Sequence, residues 1–236
     1  MAKLWRLISE QTLQYSVFIG LSLIAFILTG IIFAQKSASF QRFFGRVNPL
    51  LVVFAVFVLG LILLSLLLSK SQFAIYRPGN IKGLLIAIGL AVPFGVVMIL
   101  ADHRIVFSAD TNIAYPESLM FYPAIGYVAE ILFHVLPFTL LYFSLNAILG
   151  GSNQTTIIWI SIVLASLAEA IFQSVFMVGQ YPAWAVAYVG LHVFLISFAQ
   201  LFLFWRYDFI TMYAFRLSYY LIWHILWGHL RLSLLF

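Results

Sequence analysis

The chain has 236 residues, of which 64% are hydrophobic, 18% aromatic and only 8% charged, with a formal net charge of +5. Soluble domains run at roughly 45–50% apolar and about 25% charged residues, so this composition describes an integral, multi-pass membrane protein and excludes an ordinary soluble enzyme. The basic residues flank the first three apolar runs, at lipid-headgroup level, which makes the bilayer rather than nucleic acid the partner; the absence of cysteine removes disulfides, thiolate catalysis and Cys-ligated zinc.

In chain order, Met1 to Gln14 carries Lys3, Arg6 and Glu10 and leads into an apolar run without a small-residue cleavage site at its end. A retained first helix is expected there rather than a signal peptide. Spans are predicted over 15–34, 49–68 and 82–101, each long enough at about 1.5 Å per residue to cross a hydrocarbon core of roughly 30 Å. These three are nearly free of ionisable groups and read as scaffold helices. Gln35 to Asn48, with Phe40, Phe43 and Phe44 among Lys36, Arg42 and Arg46, reads as a short amphipathic helix lying in the interface. Ser69 to Asn80 is a connector with a Pro78-Gly79 turn, and Asp102 to Ser118, which holds Asp102, His103, Arg104, Asp110 and Glu117, is expected to be a longer external loop.

A fourth span over 119–149 is too long for an untilted crossing, so Pro123 and Pro137 are expected to bend or divide it. Further spans are predicted over 155–178, 183–205 and 207–227. The expected architecture is therefore all-α: a single polytopic domain over 1–236 with about seven spans, three scaffold helices in 1–101 and polar-cavity helices in 119–228. The positive-inside count, about six Lys/Arg against about five, gives only a slight preference for a cytoplasmic N-terminus.

Chemistry-bearing residues concentrate in the second half. Glu130 and His134 are four apart, hence on one helix face, and Glu169 and Gln173 repeat that spacing on the next span. His192 and Gln200 follow on the sixth span, and Arg216 and His224, eight apart, lie near one face of the seventh. An ionisable side chain at membrane depth costs several kcal/mol unless paired or wet, so this set marks either a function or a buried network in which Arg216 meets Glu130 or Glu169. His192 reads as an internally satisfied histidine, and His103 and His229 as interfacial residues.

The run Ala129-Glu130-Ile131-Leu132-Phe133-His134 resembles the Glu-Glu-x-x-x-Arg motif of the CAAX-processing and bacteriocin-processing (CPBP) glutamic intramembrane proteases, with the second Glu kept as Glu130. Glu169-Ala170-Ile171-Phe172-Gln173 is similar to the family's Phe-x-x-x-His, and His224-Ile225-Leu226-Trp227-Gly228 to its His-x-x-x-Asn or His-x-x-x-Asp. The resemblance covers Pro123 to Gly228 and implies a site built on Glu130, Glu169, Gln173 and His224, supported by His134 and Arg216, with no cofactor. In the family the first Glu and the second-motif His activate a water, and the third-motif His and Asn stabilise the oxyanion. Here Ala129 replaces that Glu, Gln173 that His and Gly228 that Asn, so the resemblance implies a scaffold that holds a peptide, a lipid or a partner helix without cleaving it. Two alternatives stay open: an active endopeptidase using Glu130 or Glu169 as base, and a carboxylate and imidazole metal site on Glu130, His134, Glu169 and His224.

Overall fold

The computed structural model describes residues 2–70, 72–150 and 153–236, with side chains from residue 11 onward. The helices are α1 (Ala2–Ala34), α2 (Gln41–Phe44), α3 (Pro49–Leu68), α4 (Ile81–Ile105), α5 (Ser118–Ala129), α6 (Leu136–Ile148), α7 (Gln154–Val175), α8 (Ala183–Arg206), α9 (Phe209–Tyr220) and α10 (Gly228–Leu234). Two π-helical segments, Glu130–Val135 and Leu221–Trp227, join α5 to α6 and α9 to α10 into single long rods. Among the described residues six helical stretches are long and apolar enough to cross a membrane, including Ser118–Ile148 as one span. The rod of α9 and α10, predicted as the seventh span, is more polar and is not one of those six, and the whole is an all-α polytopic bundle.

Polarity is distributed inside out. Leu51, Leu85 and Leu100 are more than 60% exposed, whereas Glu130, His134, Gln200, Asp102 and Arg231 are fully buried. Water would reverse that arrangement; a lipid environment favours it, because apolar side chains lose nothing against acyl tails while charges find partners inside.

Four helices open on side chains that accept a hydrogen bond from their first-turn N–H groups. Asn48 caps α3, Asn80 caps α4, Asn153 caps α7 and Asp208 caps α9, each satisfying a donor that no helical partner reaches. The α9 rod lies inside the bundle, against α4, α5 and α8, while α1 packs on α3 and α5, and α7 on α6 and α8.

Several expectations are revised. Pro123 does not divide the fourth span, lying within α5. Pro137 leaves the span continuous as well, but the π segment ends just before it. A proline ring clashes with the carbonyl four residues back and removes one ladder bond, and a wider turn there relieves both. The amphipathic segment forms only the four-residue helix α2, with Phe40 buried and Phe43 exposed. Asp102, expected at the start of an external loop, lies inside α4, whose helix runs on to Ile105. Its carboxylate is fully buried and meets Arg231 in a two-pronged pair, Nε to Oδ2 at 2.7 Å and Nη2 to Oδ1 at 3.0 Å. The Trp227 indole N–H and the Phe107 backbone N–H also donate to it. No local pattern announces this, because the partner arrives from the last turns of the chain.

Candidate functional site

The fourth, fifth, sixth and seventh spans bring their polar residues together at one point inside the bundle. The π segment Glu130–Val135 carries Glu130 and His134 four residues apart on the same side. Arg216 reaches across from α9 and places Nε 2.7 Å from Glu130 Oε1, to which Gln200 of α8 also donates from its Nε2. His134 stands between the two carboxylates, Nδ1 at 3.1 Å from Glu130 Oε2 and Nε2 at 3.1 Å from Glu169 Oε2. These are ion-pair distances without hydrogen-bond alignment, since neither Glu130 Oε2 nor His134 Nε2 has a well-directed partner.

Glu169 is held from its own helix and the next. Gln173 Nε2 donates to Oε1 at 3.1 Å, the Ser197 hydroxyl of α8 donates to Oε2, and Arg216 Nη2 lies 3.7 Å from Oε1. Arg216 spends its remaining donors on Tyr220 Oη at 2.8 Å, His134 Nδ1 at 3.2 Å and Gln200 Oε1 at 3.4 Å. The fork of the guanidinium thus serves three helices at once, a geometry that a lysine ammonium cannot reproduce.

Of the residues expected from sequence, Glu130, His134, Glu169, Gln173 and Arg216 form this connected cluster. All are buried except Gln173, which is exposed in the last turn of α7. His224 is not in direct contact with the carboxylates. It sits inside the second π segment, and the imidazole is half-buried against Tyr122, whose ring stacks at 4.6 Å, with Nδ1 paired to Asn112 Oδ1 at 2.7 Å. Its link to the cluster runs through Tyr220, whose ring centre is 4.8 Å from the imidazole and whose hydroxyl accepts from Arg216. Gly228 abuts the same asparagine, since a Cβ added there would sit 2.9 Å from Asn112 Cβ. His192 lies apart, against Phe94 and Tyr188, with Tyr219 Oη 3.4 Å from Nε2.

Ser197, Tyr220 and Asn112 are partners that the sequence reading did not single out. Ser197 and Gln200 are three apart on α8, and Arg216 and Tyr220 four apart on α9, so helical spacing could have found both pairs. Nothing local marks Asn112, which comes from the connector between α4 and α5.

The metal alternative meets a geometric obstacle. Glu130 and Glu169 sit on opposite ring nitrogens of His134, and an ion bound to either nitrogen would lie on the far side of the ring from one carboxylate. Among the described residues no group of three or more His, Asp or Glu side chains is placed to hold a metal ion.

Chemically, a carboxylate acts as a general base when an oxygen faces the water it is to deprotonate. Here three of the four carboxylate oxygens accept hydrogen bonds and the fourth lies against His134. The comparisons with known proteins leave the assignment to this geometry: no protein-family model, no curated protein and no solved structure matches the chain.

Proposed function

We propose that the chain is a non-cleaving intramembrane scaffold, resembling the CPBP proteases in its second half, that docks a partner transmembrane helix on the outer face of α7. One observation carries the reading: three of the four oxygens of Glu130 and Glu169 accept hydrogen bonds from Arg216, Gln200, Gln173 and Ser197, and the fourth, Glu130 Oε2, is buried against His134 inside the cluster. Such a centre is built to stay shut. It fixes four spans in one register, as expected of paired intramembrane charges.

Gln173 supports the choice of partner. Its amide donates inward to Glu169 while the residue itself is exposed between Phe172 and Phe176, both on the surface of the bundle. An amide at a lipid-facing position gains by bonding to a polar side chain on a neighbouring helix, by about 1–2 kcal/mol in model systems.

The test is association in vesicles between the labelled protein and a polyleucine helix carrying a single Asn, followed by energy transfer. Saturable association that needs the Asn and is lost in Gln173→Leu is expected; equal association of plain polyleucine, or no effect of Gln173→Leu, overturns the docking. Incubation with a prenylated peptide or a leader peptide, followed by mass spectrometry, is expected to return it uncut.

A second reading, an active endopeptidase, is favoured by Arg216 and Tyr220. Arg216 touches both carboxylates while donating to Tyr220, so a guanidinium and a phenol stand beside the two candidate bases, Glu130 and Glu169. Cleavage abolished by Glu130→Gln or Glu169→Gln would establish that reading and remove the first.

A further inference from the structure

We infer a binding site for the headgroup of an anionic phospholipid at the end of the bundle where α3 and α6 finish and α7 begins. A cavity of about 380 Å³ opens there, lined by Lys70, Gln72, Tyr142, Asn146 and Gln154 among others. That volume lies in the usual range of about 300–1,000 Å³ for small-ligand sites. It sits at headgroup depth, because the flanking spans stop at Leu68 and Ile148 and the next begins at Gln154.

The floor of the cavity is a fixed hydrogen-bonded row. Tyr142 Oη donates to Gln154 Oε1 at 2.7 Å, and Gln154 Nε2 donates to Asn146 Oδ1 at 2.6 Å. With its oxygen occupied, Asn146 turns its Nδ2 donor elsewhere. Lys70 is half-buried, its ammonium 5.8 Å from the Phe143 ring centre and without a carboxylate partner among the described residues. The side chain of Gln72 likewise has no hydrogen-bond partner there, only its carbonyl being engaged by Arg77.

One cation and two amide donors thus face a cavity whose described lining contains no Asp or Glu. The Asn146 amide donor has no acceptor among the described residues, and a phosphodiester is an acceptor that the setting provides. An anionic glycerophospholipid would put its phosphate on Lys70 and Asn146. Its acyl chains would run down past Leu66 and Ile62 of α3, which are 46% and 54% exposed. The surface potential of an anionic leaflet adds to the attraction.

The experiment uses the full chain, delipidated in detergent and titrated with phosphatidylglycerol or phosphatidylcholine, with bound lipid counted by native mass spectrometry. Phosphatidylglycerol is expected to be retained about tenfold better than phosphatidylcholine, the preference falling to about twofold or less in Lys70→Gln and surviving in Lys70→Arg. Lys36→Gln, an exposed charge at the opposite end of the bundle, is expected to change nothing. Equal retention of the two lipids, or a preference untouched by Lys70→Gln, overturns the site. Glycerol 3-phosphate that displaces nothing at millimolar concentration supports a membrane lipid as the ligand; displacement by it as efficient as by the lipid overturns that source. Melting curves of Lys70→Gln and Lys70→Arg separate lost binding from lost folding.

Discussion

Arg216 Nε stands 2.7 Å from Glu130 Oε1, joining α9 to the π segment of the fourth span across 86 residues of sequence. The same guanidinium also contacts Tyr220, His134 and Gln200 and lies within ion-pair range of Glu169. Removing it leaves two buried carboxylates without a guanidinium, beside only His134 and the neutral donors Gln200, Gln173 and Ser197. Arg216→Met is therefore expected to destabilise the protein by about 3–5 kcal/mol, the cost of orphaning a buried ion pair. Glu130→Gln combined with Arg216→Met should recover part of that loss, because one unpaired charge is gone. Thermal unfolding in detergent, followed by circular dichroism for the two single variants and the double, measures the coupling. Strict additivity would show that the pair is not a unit.

The Asp102 and Arg231 pair fastens the opposite end of the rod to α4. Asp102 is fully buried and accepts from Arg231, Trp227 and the Phe107 backbone. Asp102→Ala is expected to cost about 3–5 kcal/mol, and Asp102→Asn nearly as much because it strands the guanidinium. Val106, the C-cap of α4, lies in the left-handed region at φ 52°, where a β-branched side chain is strained. Val106→Gly should thus stabilise the protein by up to about 1 kcal/mol, read as a higher Tm.

The connector between α4 and α5 carries a pH-sensitive contact. Asp110 is fully exposed, and its carboxyl is held below its ordinary value of 3.8 by the Ser108 hydroxyl, which donates to it at 2.6 Å, and then by the Arg42 guanidinium. A depressed carboxylate pKa means that the contact contributes fully above the ordinary value and is lost as pH falls through the lower folded one. Carbon-13 NMR of the Asp110 carboxyl should show a midpoint below 3.8, moving up in Ser108→Ala. An unmoved midpoint in that variant would assign the effect to Arg42 alone.

The glutamates were legible because their partners lie four residues away on the same helix, a spacing that geometry guarantees whatever the tertiary fold. Arg216 was legible as a partner for the same reason that it is costly, a lone cation in an apolar run. The placement of His224 was not. Eight residues put it near the face of Arg216 on a regular helix, but the π segment Leu221–Trp227 changes the register, and the imidazole meets Asn112 instead. Asp102 was misplaced because hydropathy sees a charge and ends the span, while the arginine that neutralises it lies 129 residues on.

Gly228 is where the connector asparagine meets the rod of α9 and α10. A side chain there would meet Asn112 Cβ at 2.9 Å, closer than folded proteins tolerate, and Nδ2 at 3.0 Å, a tight contact. The glycine therefore admits the connector asparagine against the rod, and that asparagine supplies His224 with the amide oxygen it pairs to. Gly228→Ala must push Asn112 outward, since the clash is with its Cβ and amide together rather than with a flexible tip. A loss of about 1–3 kcal/mol is expected from overpacking, together with a changed nitrogen-15 shift of His224 Nδ1 as the 2.7 Å contact opens. Asn112→Ala in the Gly228→Ala background makes room for the methyl group and should return part of the stability, but not the His224 shift, because the amide is gone. Recovery of both would mean that His224 draws on another partner.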